Sequence, residues 1–215
     1  MAVRADLNIS LDGYASTTDQ TPENPFGDDW GRLVAAYTAT RTFRERVLGD
    51  LSGAGSTGVD DRYGAEYFED IGAEIMGAGM FGLHDFPDDA DWRGWWGDEP
   101  PFRCPVFVLT HSAGREPISF DNGTEFHFLD APPAEALALA TEVAGDADVR
   151  IGGGASTVRA FLAAGLVDRL HVGITPILLG RGQNLWADLR GLEDGYTVTS
   201  EVAESGVVHV TFARG

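Results

Sequence analysis

Lysine is absent from this chain, cysteine is nearly absent, and long apolar stretches are missing. All 15 basic residues among the 215 are arginine, and Cys104 is the single cysteine. Without lysine the chain has neither Schiff-base chemistry nor the phosphate-binding lysine of a P-loop. One cysteine forms no internal disulfide, which suits a reducing compartment. The longest apolar runs, PVFVLT and ITPILL, have strand length and are far too short to cross a bilayer.

Positive charge is also scarce. The chain carries 34 acidic residues against 15 basic ones, which gives a formal net charge of -19. Such a surface repels nucleic acids and anionic membranes, so we expect neither as a partner and expect a small-molecule substrate instead. The acidic, lysine-free composition also suits a salt-adapted or GC-rich source. The first 13 residues show no signal-peptide pattern, and with the lone cysteine this predicts a cytoplasmic protein.

What the chain does contain is a regular alternation of strand and helix patterns. These patterns predict strands at 3–10, 73–77, 104–110, 125–129, 148–151 and 169–179, helices at about 31–48, 62–69, 132–145 and 155–164, and a hairpin turning near 204–206. We therefore expect a single α/β domain over residues 1–215. Its fold should be a three-layer sandwich around a mostly parallel sheet, with an antiparallel C-terminal hairpin at one edge.

Three consecutive glycines, Gly152, Gly153 and Gly154, stand between the strand at 148–151 and the helix that follows. Glycine is costly to order, so a run of three requires either a tight turn or a large group lying against the backbone. The first N–H groups of a helix are unpaired, and together with the helix dipole they bind anions such as a diphosphate. Ser156 and Thr157 add hydroxyl groups to this first turn.

Two familiar phosphate motifs do not match this junction. A P-loop requires lysine where Ala155 stands, and the dinucleotide fingerprint requires glycine where Thr157 stands. From the residues alone, two interpretations stay open. The glycines form an anion site, or they form a turn needed only for close packing of the helix on the sheet.

Longer stretches around the glycines resemble a known superfamily. The segment RIGGGASTVRAFLAAGLVDRLHVGITPILLGRGQNLW at 150–186 is similar to dihydrofolate-reductase-like proteins, and within them to the reductase domain of the bacterial bifunctional riboflavin-biosynthesis enzyme. Further similar segments follow in the expected order: ISLDGY at 9–14, AEIMGAGMFG at 73–82, WRGWWGDEPPF at 92–102 and PVFVLTH at 105–111. The resemblance implies a reductase that binds NADPH across the carboxyl ends of several strands and that forms a homodimer.

The resemblance also implies which residues contact the cofactor. The glycine junction would hold the diphosphate and flank the nicotinamide, a second segment would open a short helix against the phosphates, a third would lie near the adenosine 2'-phosphate, and the first loop would approach the nicotinamide. The glycine junction comprises Gly152, Gly153, Gly154, Ala155 and Ser156, with Thr157 beside them. The second segment is Gly77, Ala78, Gly79 and Met80, and the third is Thr110 and His111. The first loop contributes Gly13, Tyr14 and Ala15.

One position departs from the pattern of these relatives. They carry arginine where Ala78 stands, and a guanidinium grips phosphate through its planar fork. His111, Arg115 and Arg181 are the candidates to compensate. Without such compensation NADH would bind as well as NADPH, or the cofactor would be held weakly.

Reduction of a C=N or C=O bond needs a hydride from the nicotinamide and a proton from a positioned group. The candidate catalytic residues are Asp12, just past the first strand, its neighbour Tyr14, and Trp30, which would stack on a flat heterocycle. An aspartate before glycine is equally suited to capping a turn, so both roles of Asp12 stay open. Asp28 and Asp29 begin the first predicted helix, where folate-reducing relatives carry their substrate-binding acid, but N-capping is the favoured role.

Three tryptophans, Trp92, Trp95 and Trp96, lie in an acidic loop at 84–101. We interpret them as a lid, a pocket wall or a dimer interface rather than as reacting groups. The five histidines are scattered without the spacing of metal ligands, so no metal site is predicted.

Two hypotheses for the function follow from the sequence. The first is an NAD(P)H-dependent reductase of a small flat heterocycle, pteridine-like or pyrimidine-like, which includes a 5-amino-6-(5-phosphoribosylamino)uracil reductase-like activity. The second is a non-catalytic protein that retains the fold and binds a nucleotide or another small molecule, and the alanine at position 78 is its best support.

Overall fold

The computed structural model describes residues 1–16, 21, 24, 26–82, 91–111 and 114–215, so the predicted loops at 11–29 and 84–101 lie partly outside the described residues. The strands are β1 (Val3–Ser10), β2 (Tyr14–Ser16), β3 (Ile71–Gly77), β4 (Pro105–Leu109), β5 (Ile118–Ser119), β6 (Glu125–Leu129), β7 (Asp148–Gly153), β8 (Arg169–Thr175), β9 (Gln183–Asn184), β10 (Thr197–Val202) and β11 (Val208–Ala213). The helices are α1 (Trp30–Leu33), α2 (Ala35–Thr38), α3 (Arg41–Arg46), α4 (Val59–Glu66), α5 (Ala78–Phe81), α6 (Pro133–Ala144) and α7 (Ala155–Ala163), with a 3-10 turn at Leu192–Gly195.

One large sheet organises the chain, with strand order β10-β11-β8-β1-β7-β3-β4-β6-β5. The six central strands, from β8 to β6, run parallel to one another. At one edge β11 and β10 form the antiparallel hairpin that the sequence predicts, and at the other edge β5 pairs antiparallel with β6. Strands β2 and β9 form a separate two-stranded sheet. The predicted mixed, mostly parallel α/β sheet is therefore confirmed.

The two faces of the sheet are covered differently. On one face α6 and α7 pack against β3, β4 and β7, and alternate residues of β1, such as Ala5 and Ile9, join that apolar core. On the opposite face the intervening residues of β1 are polar, and Arg4 and Asp6 lie buried beneath α4 and the residues that follow it. Farther along this second face, aromatic residues of the tryptophan loop cover β4 and β6.

The prediction of one continuous helix at 31–48 is wrong. The segment forms three short helices instead, because Val34 leaves helical geometry and Thr40 adopts an extended backbone. The Thr40 hydroxyl then accepts a hydrogen bond from the Phe43 N–H and caps α3. The strand predicted at 169–179 is too long and ends at Thr175, since Pro176 has no N–H to donate to a neighbouring strand.

No helix within the described part of the chain has the length and apolar character needed to cross a bilayer.

Candidate active site

The predicted cofactor segments follow neighbouring parallel strands. In sheet order β1, β7, β3 and β4 end at Ser10, Gly153, Gly77 and Leu109. In open α/β sheets ligands bind in the crevice outside the carboxyl ends of the strands. The first loop, the glycine junction, the segment at 77–80 and the segment at 110–111 therefore lie along one edge of the sheet.

The three glycines lack side chains for different reasons. A Cβ built on Gly152 would lie 2.1 Å from Glu74 Oε1, and Gly153 has a φ of +136°, with Met80 Sδ 3.2 Å from its would-be Cβ. Within the described residues no atom lies within 4 Å of a Cβ built on Gly154. Packing against neighbours thus accounts for Gly152, and backbone conformation for Gly153, whereas Gly154 faces open space.

Helix α7 begins directly after Gly154, which occupies the N-cap position and provides no capping side chain. The peptide bond between Gly153 and Gly154 is cis. The first turn contains no acidic residue, and Ser156 is exposed on it. The N–H groups of a first helical turn, the positive end of the helix dipole and an exposed hydroxyl group give this turn the chemistry of an anion site.

The turn between β3 and α5 packs directly against the first turn of α7. A Cβ built on Gly77 would lie 2.4 Å from Thr157 Oγ1, so the Thr157 hydroxyl lies against the glycine backbone. Ala78 opens α5 without a polar side chain, and Gly79 is exposed beside it. The two junctions therefore adjoin each other, with Ser156 and Gly79 exposed. Of the predicted residues, Gly152, Gly153 and Ala155 are buried.

Asp12 is held by its own chain. The Ser10 hydroxyl donates to Asp12 Oδ1 at 2.6 Å, and the N–H groups of Leu179 and Gly180 donate to its two oxygens at 3.1 and 2.7 Å. These hydrogen bonds, that of Ser10 above all, hold the pKa of Asp12 below its usual value. Asp12 is therefore ionised at neutral pH, and the geometry favours its turn-capping role over proton donation.

Tyr14 and Ala15 lie on β2, which pairs with β9 through Tyr14 and Asn184. The Arg159 guanidinium of α7 donates to the Asn184 carbonyl at 2.7 Å. Because Asn184 also pairs with Tyr14, this hydrogen bond connects α7 to the first loop. The loop predicted to approach the nicotinamide therefore adjoins the helix predicted to hold the diphosphate.

Trp30 belongs to an aromatic cluster above the end of α5. Its ring centroid lies 4.9 Å from that of Phe26, which in turn lies 5.8 Å from Trp95. The Trp95 ring also closes over Gly82 at the end of α5, with an atom 2.6 Å from the would-be Cβ of that glycine. This cluster, Phe26, Trp30, Trp95 and Trp92, forms a wall suited to a flat heterocycle. The neighbouring Trp96 instead packs into the apolar core with Phe102 and Phe126.

Asp29 occupies the N-cap position of α1, but its side chain makes no capping hydrogen bond. It lies 2.5 Å from the Arg32 guanidinium and 3.7 Å from that of Arg181. Side-chain N-capping, the favoured role from sequence, is therefore wrong for Asp29, because its carboxylate pairs with arginine instead. The Asp28 carboxylate accepts a hydrogen bond from the Asn24 amide.

The residues expected near the adenosine lie at the ends of β4 and β6. The Thr110 N–H donates to the Leu129 carbonyl, and His111 Nδ1 lies 2.9 Å from Asp130 Oδ1. Of the arginines considered as replacements for the missing one at 78, Arg181 pairs with Asp29. Arg115 donates to the Trp92 carbonyl and lies over the Phe128 ring.

Two buried polar groups were not found by sequence reasoning. Arg150 and Glu74 form an ion pair at 3.0 Å directly beneath Gly152, where burial raises the pKa of Glu74. A second group joins Asp6, His171, His209 and Asp60 in a line across the sheet. The sequence signal for such groups is a charged residue within an otherwise apolar strand, such as Glu74 in β3.

The residues that the structure describes contain no group of three or more histidine, cysteine or carboxylate side chains able to hold a metal ion. Burial raises the pKa of the Cys104 thiol to about 12, so the single cysteine is not a reactive nucleophile.

The sheet order, the helices on both faces and the glycine junctions at the carboxyl edge define a dihydrofolate-reductase-like α/β protein. The chain belongs to the RibD C-terminal domain family, whose family model matches residues 1–208. This is a family of reductase-like domains, so the resemblance found in the sequence is confirmed.

Solved structures with low sequence identity share this fold. A putative riboflavin biosynthesis protein from Shewanella sp. PV-4 is 21% identical, with a TM-score of 0.60 over 100% of this chain and 99% of that one. The diaminohydroxyphosphoribosylaminopyrimidine deaminase/5-amino-6-(5-phosphoribosylamino)uracil reductase of Thermotoga maritima is 14% identical, with a TM-score of 0.55 over 100% of this chain and 56% of that one.

A curated relative matches over a shorter segment. The uncharacterized protein YyaP of Bacillus subtilis (strain 168) is 34% identical over 65 residues, which are 30% of this chain and 35% of the relative. The match thus spans about a third of the length of that relative.

Proposed function

We propose that the chain is an NAD(P)H-dependent reductase that reduces a C=N or C=O bond of a small flat heterocycle, pteridine-like or pyrimidine-like. The observation that carries the proposal is the open backbone at Gly154, at the start of α7 and beside the β3–α5 turn. Family membership supports a reductase, and the Thermotoga maritima relative bears the name of a pyrimidine-derivative reductase.

The residues present fit the diphosphate of a nicotinamide nucleotide. The N–H groups that begin α7, the exposed Ser156 hydroxyl and the small residues at 77–79 would hold it. NADPH is the cofactor implied by the family resemblance, and NADH would use the same diphosphate site. When bound, the cofactor supplies a hydride, and the chain supplies binding, orientation and a proton source.

The substrate would lie against the aromatic wall that contains Trp30. With Asp12 ionised and Asp29 paired with arginines, neither carboxyl group is placed to donate a proton. The Tyr14 hydroxyl or a bound water is therefore the proposed proton source as the hydride reaches the carbon atom. A homodimer remains a prediction from the resemblance, and light scattering of the purified protein tests it.

Cofactor binding is the first test. Titration with NADH and with NADPH should quench tryptophan fluorescence and raise the melting temperature, because a ligand at 100 times its Kd stabilises the folded state by about 2.7 kcal/mol. Turnover is then measured with pteridine and pyrimidine substrates as the loss of dihydronicotinamide absorbance. Binding without turnover would favour the non-catalytic alternative, and no response to either nucleotide at millimolar concentration would refute the reductase.

A further inference from the structure

The ends of β4 and β6 place a carboxylate beside the expected adenosine half of the cofactor. Leu109 and Leu129 are register partners in these parallel strands, so the residues that follow them lie side by side. Asp130 Oδ1 lies 2.9 Å from His111 Nδ1 at this position. Both side chains are open to solvent, with 53% of the Asp130 side chain exposed.

The expected direction of the nucleotide along the sheet follows from the first loop. Strand β2 of this loop contacts β1 and pairs with β9, so it lies on the β1 side of the glycine junction. A nicotinamide that this loop approaches, as the family resemblance implies, lies toward β1, so the adenosine ribose extends past β3 toward β4 and β6, with about 4.8 Å per strand.

The charges at this end oppose a 2'-phosphate. In dinucleotide sites a carboxylate accepts a hydrogen bond from the 2'-hydroxyl of NAD, whereas an arginine accommodates the 2'-phosphate of NADP. Here the carboxylate of Asp130 is present, and the candidate replacement His111 is paired with it. Ala78 brings no cation, and the chain contains no lysine. The Arg115 guanidinium is directed to the Trp92 carbonyl.

We propose that Asp130 makes this site select NADH over NADPH. The inference rests on the proposed function, since it assigns the cofactor of the same site. Asp130 lies at the sheet edge directly after β6, where a ribose hydroxyl would reach it.

Dissociation constants for the two nucleotides, measured by tryptophan fluorescence at fixed ionic strength, test the proposal. The unaltered protein should bind NADH at least about tenfold more tightly than NADPH. Asp130→Asn keeps the shape of the side chain and removes its charge. It should therefore bind NADPH more tightly and NADH more weakly, and the ratio of the NADPH to the NADH dissociation constant should fall by about tenfold.

Glu125→Gln is the matched control, because it removes the same charge from the amino end of β6, four residues before Leu129. It should leave the ratio of the two constants unchanged. Equal or tighter binding of NADPH by the unaltered protein would overturn the selection of NADH, and so would a ratio that Asp130→Asn does not change. If neither nucleotide binds, the proposed function fails and this inference fails with it, an outcome distinct from binding with the opposite preference.

Discussion

At the scale of single residues, the three adjacent glycines show that one sequence motif serves several purposes. Gly152 leaves room for a buried ion pair, because Glu74 and Arg150 are register partners whose side chains share the face on which a Cβ of Gly152 would lie. Gly154 has no such neighbour among the described residues. The packing interpretation of the sequence therefore applies to Gly152, and the anion-site interpretation applies to Gly154.

Alanine at each position should separate the two roles. Gly152→Ala places a methyl group against Glu74, which is buried and cannot move without breaking its ion pair, so we expect a loss of about 1–3 kcal/mol in unfolding free energy. Gly154→Ala should cost less, at most about 1 kcal/mol, because alanine is a poorer N-cap residue than glycine but meets no neighbouring atom among the described residues. Its methyl group would enter the open space where the diphosphate is proposed, so the rise in melting temperature caused by NADH should shrink.

Urea unfolding and nucleotide titration of both variants measure these effects. A Gly154→Ala protein that is stable and still binds nucleotide normally would contradict the proposed diphosphate site. A Gly152→Ala protein as stable as the original would show that Glu74 relaxes freely, contrary to the packing argument.

At the scale of helices and strands, local signals predicted well those elements whose ends they mark. The helix predicted at 132–145 forms as Pro133–Ala144, because Pro132 and Gly145 occupy its N-cap and C-cap positions. The strand at 125–129 is confirmed in full. The predicted helix at 31–48 contains no glycine or proline within it after residue 31, and its division at Thr40 follows from hydrogen bonds with Ser56, which no local pattern reveals.

The roles of the candidate site residues stay predictions, and what the structure adds is where these residues lie. The glycines of the site and the segments at 77–80 and 110–111 follow strands whose carboxyl ends meet, which sequence order and fold class predict together. His111 and Asp130 are 19 positions apart in the chain. Glu74 and Arg150, which form the buried ion pair, are 76 positions apart. Contacts of that kind depend on the sheet order, so the sequence alone did not reveal them.

Four elements are joined by the line of buried polar groups on the second face of the sheet. His209 of β11 lies 3.0 Å from Asp60 of α4 and 3.0 Å from His171 of β8, and His171 lies 3.4 Å from Asp6 of β1. The Tyr63 ring stacks on both imidazoles at 4.2 Å. Burial lowers the pKa of His209 despite its hydrogen bond to Asp60. Burial acts to raise the pKa of Asp6, but the neighbouring His171, together with the charges of Arg150 and Arg4, lowers it.

The stability of the fold should therefore fall in weak acid. An unfolded histidine gains a proton near pH 6.5, whereas folded His209 resists it, so stability falls as the pH drops below about 6.5, by at most about 1.4 kcal/mol per pH unit for one proton. Asp6 acts in the same direction at lower pH, because stability from a lowered carboxyl pKa is lost as pH falls through the folded value. Glu74, with its raised pKa, acts in the opposite direction.

Unfolding free energies at pH 7 and pH 5 measure this effect. His209→Gln should reduce the difference between the two values, whereas His127→Gln, a half-buried histidine outside the line, should not. Glu74 contributes equally to all three proteins and cancels in the comparison. An undiminished difference in the His209→Gln protein would assign the acid sensitivity to other groups.

At the scale of the whole molecule, the net charge of -19 opposes the compact state. The described arginines are largely used in contacts with carboxylates, carbonyls and aromatic rings, and few remain to balance the surface. Exposed carboxylates such as Asp98 and Glu99 are adjacent in sequence, so they repel each other, and counterions screen this repulsion.

Salt should therefore stabilise this protein markedly. The Debye length falls from about 10 Å at 0.1 M to about 3 Å at 1 M, and each 1 kcal/mol of stabilisation raises the melting temperature of a chain this size by about 2–4 °C. The combined variant Asp98→Asn, Glu99→Gln carries a net charge of -17 (-19 plus 2) and should melt higher at low salt and respond less to sodium chloride. Sucrose, which carries no charge, should affect both proteins equally. If sodium chloride produced no rise, or the same rise in both proteins, charge repulsion would not be what limits the stability of the fold.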